Sequence, residues 1–368
     1  MPDAVVAGYL GVDIAPGFAA RGAVPFAELF RPGKLIETRG LDFSLGGVVA
    51  NTGLAMRRFG CDVALMGCVG EDALGDLAVA RLAEAGIRDG IRRVATADTA
   101  YGIVLAPPGV DRMFLEDPGC NRGFTVEHID LDVVRQSRLF HFGYPPLMEA
   151  LWRDGGRGLR DLLAAVRACG AAVSLDMTLP DPDAPAGRAD WGGILADALP
   201  LVDIFVPSIE ELLFMLDPAD YARLAAQSPG GDLIDAIPSS VYGELADRVL
   251  ALGVKVLLIK AGHKGAYLRS AAPVKSAAPV KSVATAQWPL DGAGCPDGLW
   301  LDPLPLDAAR VCNASGAGDC AVAGFLSALL KGKSVVAAGH CAMAAGRDNL
   351  YGPDALSGLR TWEAMGSE

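Results

Sequence analysis

Asn313-Ala314-Ser315-Gly316-Ala317-Gly318-Asp319, followed at once by the apolar run 320–330, is the stretch on which the reading of this chain turns. Gly316 and Gly318 permit backbone turns that residues with a β-carbon avoid. Behind them, Val322, Phe325, Leu326, Leu329 and Leu330 recur at the i, i+3, i+4, i+7 spacing of one buried helical face. The pattern is a glycine-rich turn opening a helix. The N–H groups left over at a helix start, with the positive end of its dipole, make an anion site. A carboxylate there repels a bound phosphate, so Asp319 suits a simple phosphate cradle poorly. It suits a site where Asp319 takes a proton while the N–H groups of Ala317, Gly318 and Asp319 hold a phosphoryl group in transfer. The plainer alternative is that Asp319 caps the helix and the glycines only tighten a loop.

Far upstream, Gly46-Gly47-Val48-Val49-Ala50-Asn51, continuing to Gly60, is a second Gly-Gly turn leading into a helix. Between and beyond the two motifs, short apolar runs (63–66, 139–142, 172–175, 202–206, 254–259) alternate with longer amphipathic ones (77–85, 159–168, 246–251). That alternation predicts βαβ units around a parallel sheet, hence an α/β fold. Residues 15–43 and 96–118 break the pattern with Pro16, Pro25, Pro32, Pro107 and Pro108. The tandem SAAPVK repeat within 270–282 has a composition that builds no core and predicts an exposed insertion.

Composition narrows the function. The 32 Lys plus Arg against 44 Asp plus Glu leave a formal charge of −12, which argues against nucleic-acid binding, since that needs clustered cations. Eight scattered cysteines without a Cys-x-x-Cys pair predict reduced thiols rather than disulfides or a zinc site. Met1-Pro2-Asp3 leads directly into a strand-like run with no basic leader, and no apolar run approaches membrane-spanning length. A cytoplasmic protein with no membrane partner is expected. A hydrophobic content of 51% supplies a large core, and one domain over residues 1–368 is the expected organisation.

Taken in order, these stretches resemble the ribokinase/PfkB carbohydrate kinase family. Val5-Val6-Ala7-Gly8 and Gly11-Val12-Asp13 look like its first strand and the aspartate just after it. Residues 44–60 look like its Gly-Gly…Asn helix, and 67–75 like its Val-Gly-x-Asp-x-x-Gly segment. Asp176 sits at the strand-ending aspartate, 202–211 at the Asn-x-x-Glu turn, 257–266 at the Gly-x-x-Gly turn, and 313–319 at the last signature. The resemblance implies a ribokinase-like fold: a mostly parallel central sheet flanked by helices, with a small β-sheet lid formed by 15–43 and 96–118. The open edges of such a lid suggest a homodimer through it.

The same resemblance implies ATP-dependent phosphorylation of a sugar or sugar-like hydroxyl. Asp319 is then the base, and the backbone of Gly316, Ala317 and Gly318 completes the anion hole. Asp13, Gly46, Gly47 and Asn51 are expected to bind the sugar, with Tyr144 and Arg112 as further contacts. Lys260, Gly262, Gly265, Asn313 and Ser315 are expected near ATP, although a solvated Lys260 is the plainer reading. Glu211 is expected to orient Mg²⁺ through water. Three departures stand out: Ser208 replaces the asparagine of Asn-x-x-Glu, Asn313 replaces an aspartate, and Tyr144 replaces a sugar-binding glutamate. The second weakens the case for a monovalent cation, so little activation by K⁺ is expected. The third argues against assuming ribose. A nucleoside kinase is the nearest rival, with Phe142 and Tyr144 lining an aromatic pocket. A non-catalytic sugar-binding relative is the rival of another class. A dinucleotide dehydrogenase is weaker still, because no Gly-x-Gly-x-x-Gly follows the first strand.

Overall fold

The structure, a computed structural model, describes residues 1–18, 26–107, 113–228, 231–271, 295–312 and 314–365. The strands, in chain order, are β1 (Ala4–Gly8), β2 (Gly11–Phe18), β3 (Thr38–Gly46), β4 (Val63–Gly70), β5 (Ile91–Val94), β6 (Tyr101–Leu105) and β7 (Met113–Asp117). They continue as β8 (Leu139–Gly143), β9 (Ala172–Asp176), β10 (Ile204–Phe205), β11 (Val256–Lys260), β12 (Ala266–Ser270) and β13 (Leu299–Leu301).

Apolar strands with no polar alternation belong in a sheet covered on both faces. All five residues of β1 are buried. Val5 and Ala7 face one core, while Ala4 and Val6 face the other. Among the described residues the large sheet runs β13-β12-β11-β10-β9-β8-β1-β4-β5. Its pairs are parallel from β11 through β5, and only the β11–β12 and β12–β13 pairs are antiparallel, so β12 alone is reversed. The helices Glu149–Ala168, Trp191–Ala198, Ile209–Leu216 and Ser239–Ala251 cover one face. Val48–Arg58, Ala317–Leu330 and Val335–Asn349 cover the other. Small residues bring the last two helices together: a β-carbon on Gly324 would stand 2.7 Å from the Cys341 carbonyl oxygen.

A separate sheet, β3-β2-β6-β7, is built from the two stretches that broke the βαβ pattern. Its strands begin earlier and end later than 15–43, because Gly11 pairs with Gly46 directly after β1. Asp13, read as the aspartate just after the first strand, does follow β1 but lies inside β2 of the small sheet, paired with Ser44 and Gly102.

Chain order also positions the site. From β1 the chain moves through the small sheet to β4 on one side, then returns to place β8 on the other side of β1. Ligands gather at such a switch point, beyond the carboxyl ends of the strands. Tyr9, Tyr144, Asp176 and Lys260 all stand at those ends. Among the described residues no helix is long and apolar enough to cross a membrane.

Candidate active site

The helix Ala317–Leu330 is capped by Gly316 in a left-handed conformation, φ 76°. A β-carbon there would press within 2.7 Å of the Ala355 β-carbon, so the turn needs glycine on two counts. Asp319 is therefore not the cap but the third residue of the helix, and it is only 4% exposed. The Ala317 N–H donates to the Ala314 carbonyl at 3.4 Å, which narrows the expected anion hole towards Gly318 and Asp319. Asn349 fastens the loop from behind, donating through Nδ2 to the Ser315 carbonyl at 3.1 Å and the Ala355 carbonyl at 2.8 Å.

The Asp319 carboxylate is covered by donors from two other elements. Asn51 Nδ2 donates to Oδ2 at 3.0 Å, and Thr52 Oγ1 donates to Oδ1 at 3.2 Å. The Tyr144 hydroxyl lies 2.9 Å from Oδ1 and 2.8 Å from Oδ2. Asn51 and Tyr144, expected to touch substrate, are thus joined to Asp319 itself. The Gly46-Gly47 turn explains how Asn51 arrives: Gly47 caps Val48–Arg58, and the Val49 N–H binds the Tyr9 carbonyl at 3.2 Å, pinning that helix end to β1.

Asp13 faces the same space from the small sheet. Its carboxylate lies against Gly46, where a β-carbon would meet both oxygens within 2.8 Å. The register Asp13–Gly102–Glu116 sets two carboxylates on either side of a glycine. From a β-carbon at Gly102, Glu116 Oε2 would be 2.8 Å away and Asp13 Oδ1 3.1 Å. Burial first, then Glu116 and Asp319, push Asp13 up to about 7. Burial also raises Glu116, partly offset by a hydrogen bond from the Tyr9 hydroxyl. Thr52, Glu116 and Tyr9 were not singled out from sequence. Thr52 simply follows Asn51, but Glu116 joins only through strand register, which no local pattern announces.

Lys260 corrects the reading of a solvated lysine. Its side chain is 15% exposed and its Nζ binds Asp176 Oδ1 at 2.7 Å. It runs beside the glycine turn, with Nζ 3.8 Å from where a Gly318 β-carbon would stand. Burial alone would lower Lys260, but Asp176 and then Glu211 outweigh it and keep the ammonium charged. Asp176 is pushed up by burial, partly offset by Lys260, and its Oδ2 is buried without a partner among the described residues.

Glu211 and Ser208 form a reciprocal cap on Ile209–Leu216. The Ser208 N–H donates to Glu211 Oε2 at 2.6 Å, and the Glu211 N–H donates to Ser208 Oγ at 3.2 Å. Gly262 and Gly265 shape the turn after β11 with φ 51° and 92°. His263, beside them, pairs with Asp235 at 2.9 Å. Phe142 does not line the pocket: it is fully buried, stacked on Phe140 at 6.2 Å. Arg112 and Asn313 lie outside the described residues.

The pfkB family carbohydrate kinase profile matches residues 19–287. The chain belongs to that family. Among pfkB relatives, a probable fructokinase-4 of Arabidopsis thaliana is 27% identical over 234 residues. That match covers 63% of this chain and 64% of the plant protein. A ribokinase of Arabidopsis thaliana complexed with ribose and ATP is 20% identical with a TM-score of 0.68, covering 100% of this chain and 98% of that one. A putative ribokinase II from E. coli in complex with ATP and Mg²⁺ gives the same TM-score and coverage at 20% identity. At that distance the two structures establish the ribokinase-like fold.

Proposed function

We propose that this pfkB family member transfers the γ-phosphoryl group of ATP to a hydroxyl of a sugar or sugar-like alcohol. The observation that carries the reading is Asp319: a buried carboxylate in the first turn of a glycine-capped helix, near enough to Asp13 of the small sheet for its charge to help raise that carboxyl. In this reading Asp13 accepts hydrogen bonds from substrate hydroxyls, and Gly46, having no β-carbon, leaves room for the Asp13 carboxylate. Asp319 takes the proton of the attacking hydroxyl, while the N–H groups at the helix start hold the negative charge that develops. Lys260 adds a cation beside that turn. Both structural relatives carry ATP, one with ribose and one with Mg²⁺.

Mg²⁺ fits as a loosely held ion. Among the described residues no group of three His, Cys, Asp or Glu side chains is placed to hold a metal. Glu211 gives one oxygen to its cap, and Asp176 keeps a buried oxygen without a partner among the described residues. Either can orient a hydrated ion, which when bound neutralises phosphate charge. The sugar reading is favoured over a nucleoside because Phe142 belongs to the core. It is favoured over plain sugar binding because a binding protein has no use for a base with its own set of donors.

The test is an ADP-release screen with Mg-ATP against pentoses, hexoses, sugar acids and nucleosides, repeated with Asp319→Asn. The variant is expected to lose about 10²–10⁴-fold in kcat while binding ATP as before. A variant that keeps near-normal kcat removes Asp319 from the role of base.

A further inference from the structure

The Tyr144 hydroxyl is a buried polar group that the proposed reaction does not use. Tyr144 follows β8 with φ 67° and ψ 39°, a left-handed conformation uncommon for a residue with a β-carbon. Backbone bonds hold it there: its N–H donates to the Asp176 carbonyl at 3.4 Å, and its carbonyl accepts the Leu147 N–H at 3.0 Å. Pro145 and Pro146 follow it in the next turn, both buried. The ring stands 6.2 Å from that of Tyr9, centroid to centroid. From this fixed place one hydroxyl spans both oxygens of Asp319, at 2.9 and 2.8 Å. Asn51 and Thr52 supply the remaining donors, one to each oxygen.

We infer that Tyr144 is a positioning residue for the base: its hydroxyl fixes the plane of the Asp319 carboxylate rather than binding the sugar. The inference rests on Asp319 as base, the reading given above. A phenol offers a single proton, so at any instant it serves one oxygen and restrains the other by proximity. Burial, then the charge of Asp319, raises Tyr144 well above the ordinary phenol range. The phenol therefore stays protonated and can only donate to the carboxylate. Donation to the charged form favours that form. A base held in one orientation also meets the incoming hydroxyl without first reorganising, and misplacement of a reacting group is costly. Other charges face the pair from neighbouring elements: Asp176 from β9, Lys260 from β11, Glu211 from Ile209–Leu216 and Asp13 from β2. Their balance sets the absolute value, so the informative quantity is the change on removing one hydroxyl.

The experiment compares the unmodified enzyme with Tyr144→Phe, and with 3-fluorotyrosine placed at 144 as a stronger donor of nearly the same shape. The Asp319 carboxyl is titrated directly by NMR of ¹³C-aspartate-labelled protein, assigned with Asp319→Asn. Kinetics are measured over pH with the best sugar from the screen. In Tyr144→Phe the Asp319 titration and the acid limb of kcat are expected to move up by about one pH unit. A fall in kcat of about 10- to 100-fold is expected, with KM for the sugar changed less than about threefold. The fluorinated residue is expected to move both titrations the opposite way. A raised sugar KM with unmoved titrations would make Tyr144 a substrate contact and overturn the inference. A gain in kcat would overturn it too, by making the hydroxyl a competitor for the base. Because the NMR titration needs no substrate, it judges the hydrogen bond even if no sugar proves to be an acceptor, a result that would count against the proposed function instead. If Tyr144→Phe fails to fold, the fluorinated protein decides alone.

Discussion

Asp13 carries the costliest charge of the small sheet. Its ordinary value of 3.8 is raised to about 7 by burial, then by Glu116 and Asp319. A carboxyl raised in this way contributes its stability in full below the unfolded value, and that contribution is lost as pH climbs through 7. Asp13→Asn cannot ionise, so the variant should be more stable than the parent at pH 8 by about 1–2 kcal/mol, after a discount for partial exposure. At pH 4 the two should match. Calorimetry at both pH values checks this, and an equal shift at each would show that ionisation of Asp13 is not the cause. The same variant should lose sugar affinity, since function often occupies strained or poorly solvated groups. Asp13, Gly46, Asn51 and Asp319 were readable as candidate site residues because each sits at a motif position, whereas Lys260 read as solvated until its ion pair with Asp176 was seen. Their partners were not. That Asn51 and Tyr144 converge on one carboxylate, and that Glu116 faces Asp13 across Gly102, depends on helix docking and strand register.

Among the elements, the helix Ala317–Leu330 and the strands β4, β8, β9 and β11 were legible because apolar period and length agreed with their buried positions. The small sheet was not legible from pattern. Its strands carry Pro16 and many half-exposed positions, with a register shift between Pro16 and Phe18, so the alternation is blurred. Family resemblance, not periodicity, pointed to it. The SAAPVK repeat falls almost wholly at 272–294, outside the described residues. Its attachment is nevertheless defined. The Ser270 N–H donates to the Cys295 carbonyl at 3.3 Å, and the Cys295 N–H donates to Ser270 Oγ at 2.9 Å. Chain leaving β12 therefore returns to the same point before pairing β13 with β12. Loop-closure entropy varies slowly with length. Deleting 276–281 should then change unfolding free energy by no more than about 0.5 kcal/mol and leave turnover intact. Denaturant titration and steady-state kinetics read both, and a large rise in KM for ATP would instead place the repeat at the nucleotide.

For the molecule as a whole, the unexplained feature is the outer face of the small sheet. Asp13 and Glu116 occupy one face of it; strand alternation puts Phe43, Ile14, Ile103 and Leu115 in a row on the other. Leu41, paired with Pro16, and Met113, paired with Leu105, extend that row. Leu41 and Leu115 are 51% and 50% exposed, and Phe43 and Met113 are 38% exposed each. Single apolar side chains on a surface are ordinary, but a contiguous set on one face marks a contact surface. Among the described residues β3 and β7 are the edges of that sheet, and sheet edges invite pairing. A second copy of the chain would cover both, and two such sheets packed face to face would hold each Asp13 row steady over its own site. We therefore expect a homodimer by sedimentation velocity at micromolar concentration. Placing a charge in the row should separate it: Phe43→Asp with Leu115→Asp should yield monomers that still bind ATP, since neither residue is near the glycine turn of Ala317–Leu330. Their sugar KM should rise about tenfold, because the small sheet would lose its outer support while the large sheet stays folded. An unmodified chain that sediments as a monomer at about 100 µM would remove the dimer. It would leave the exposed row to be explained by some other partner.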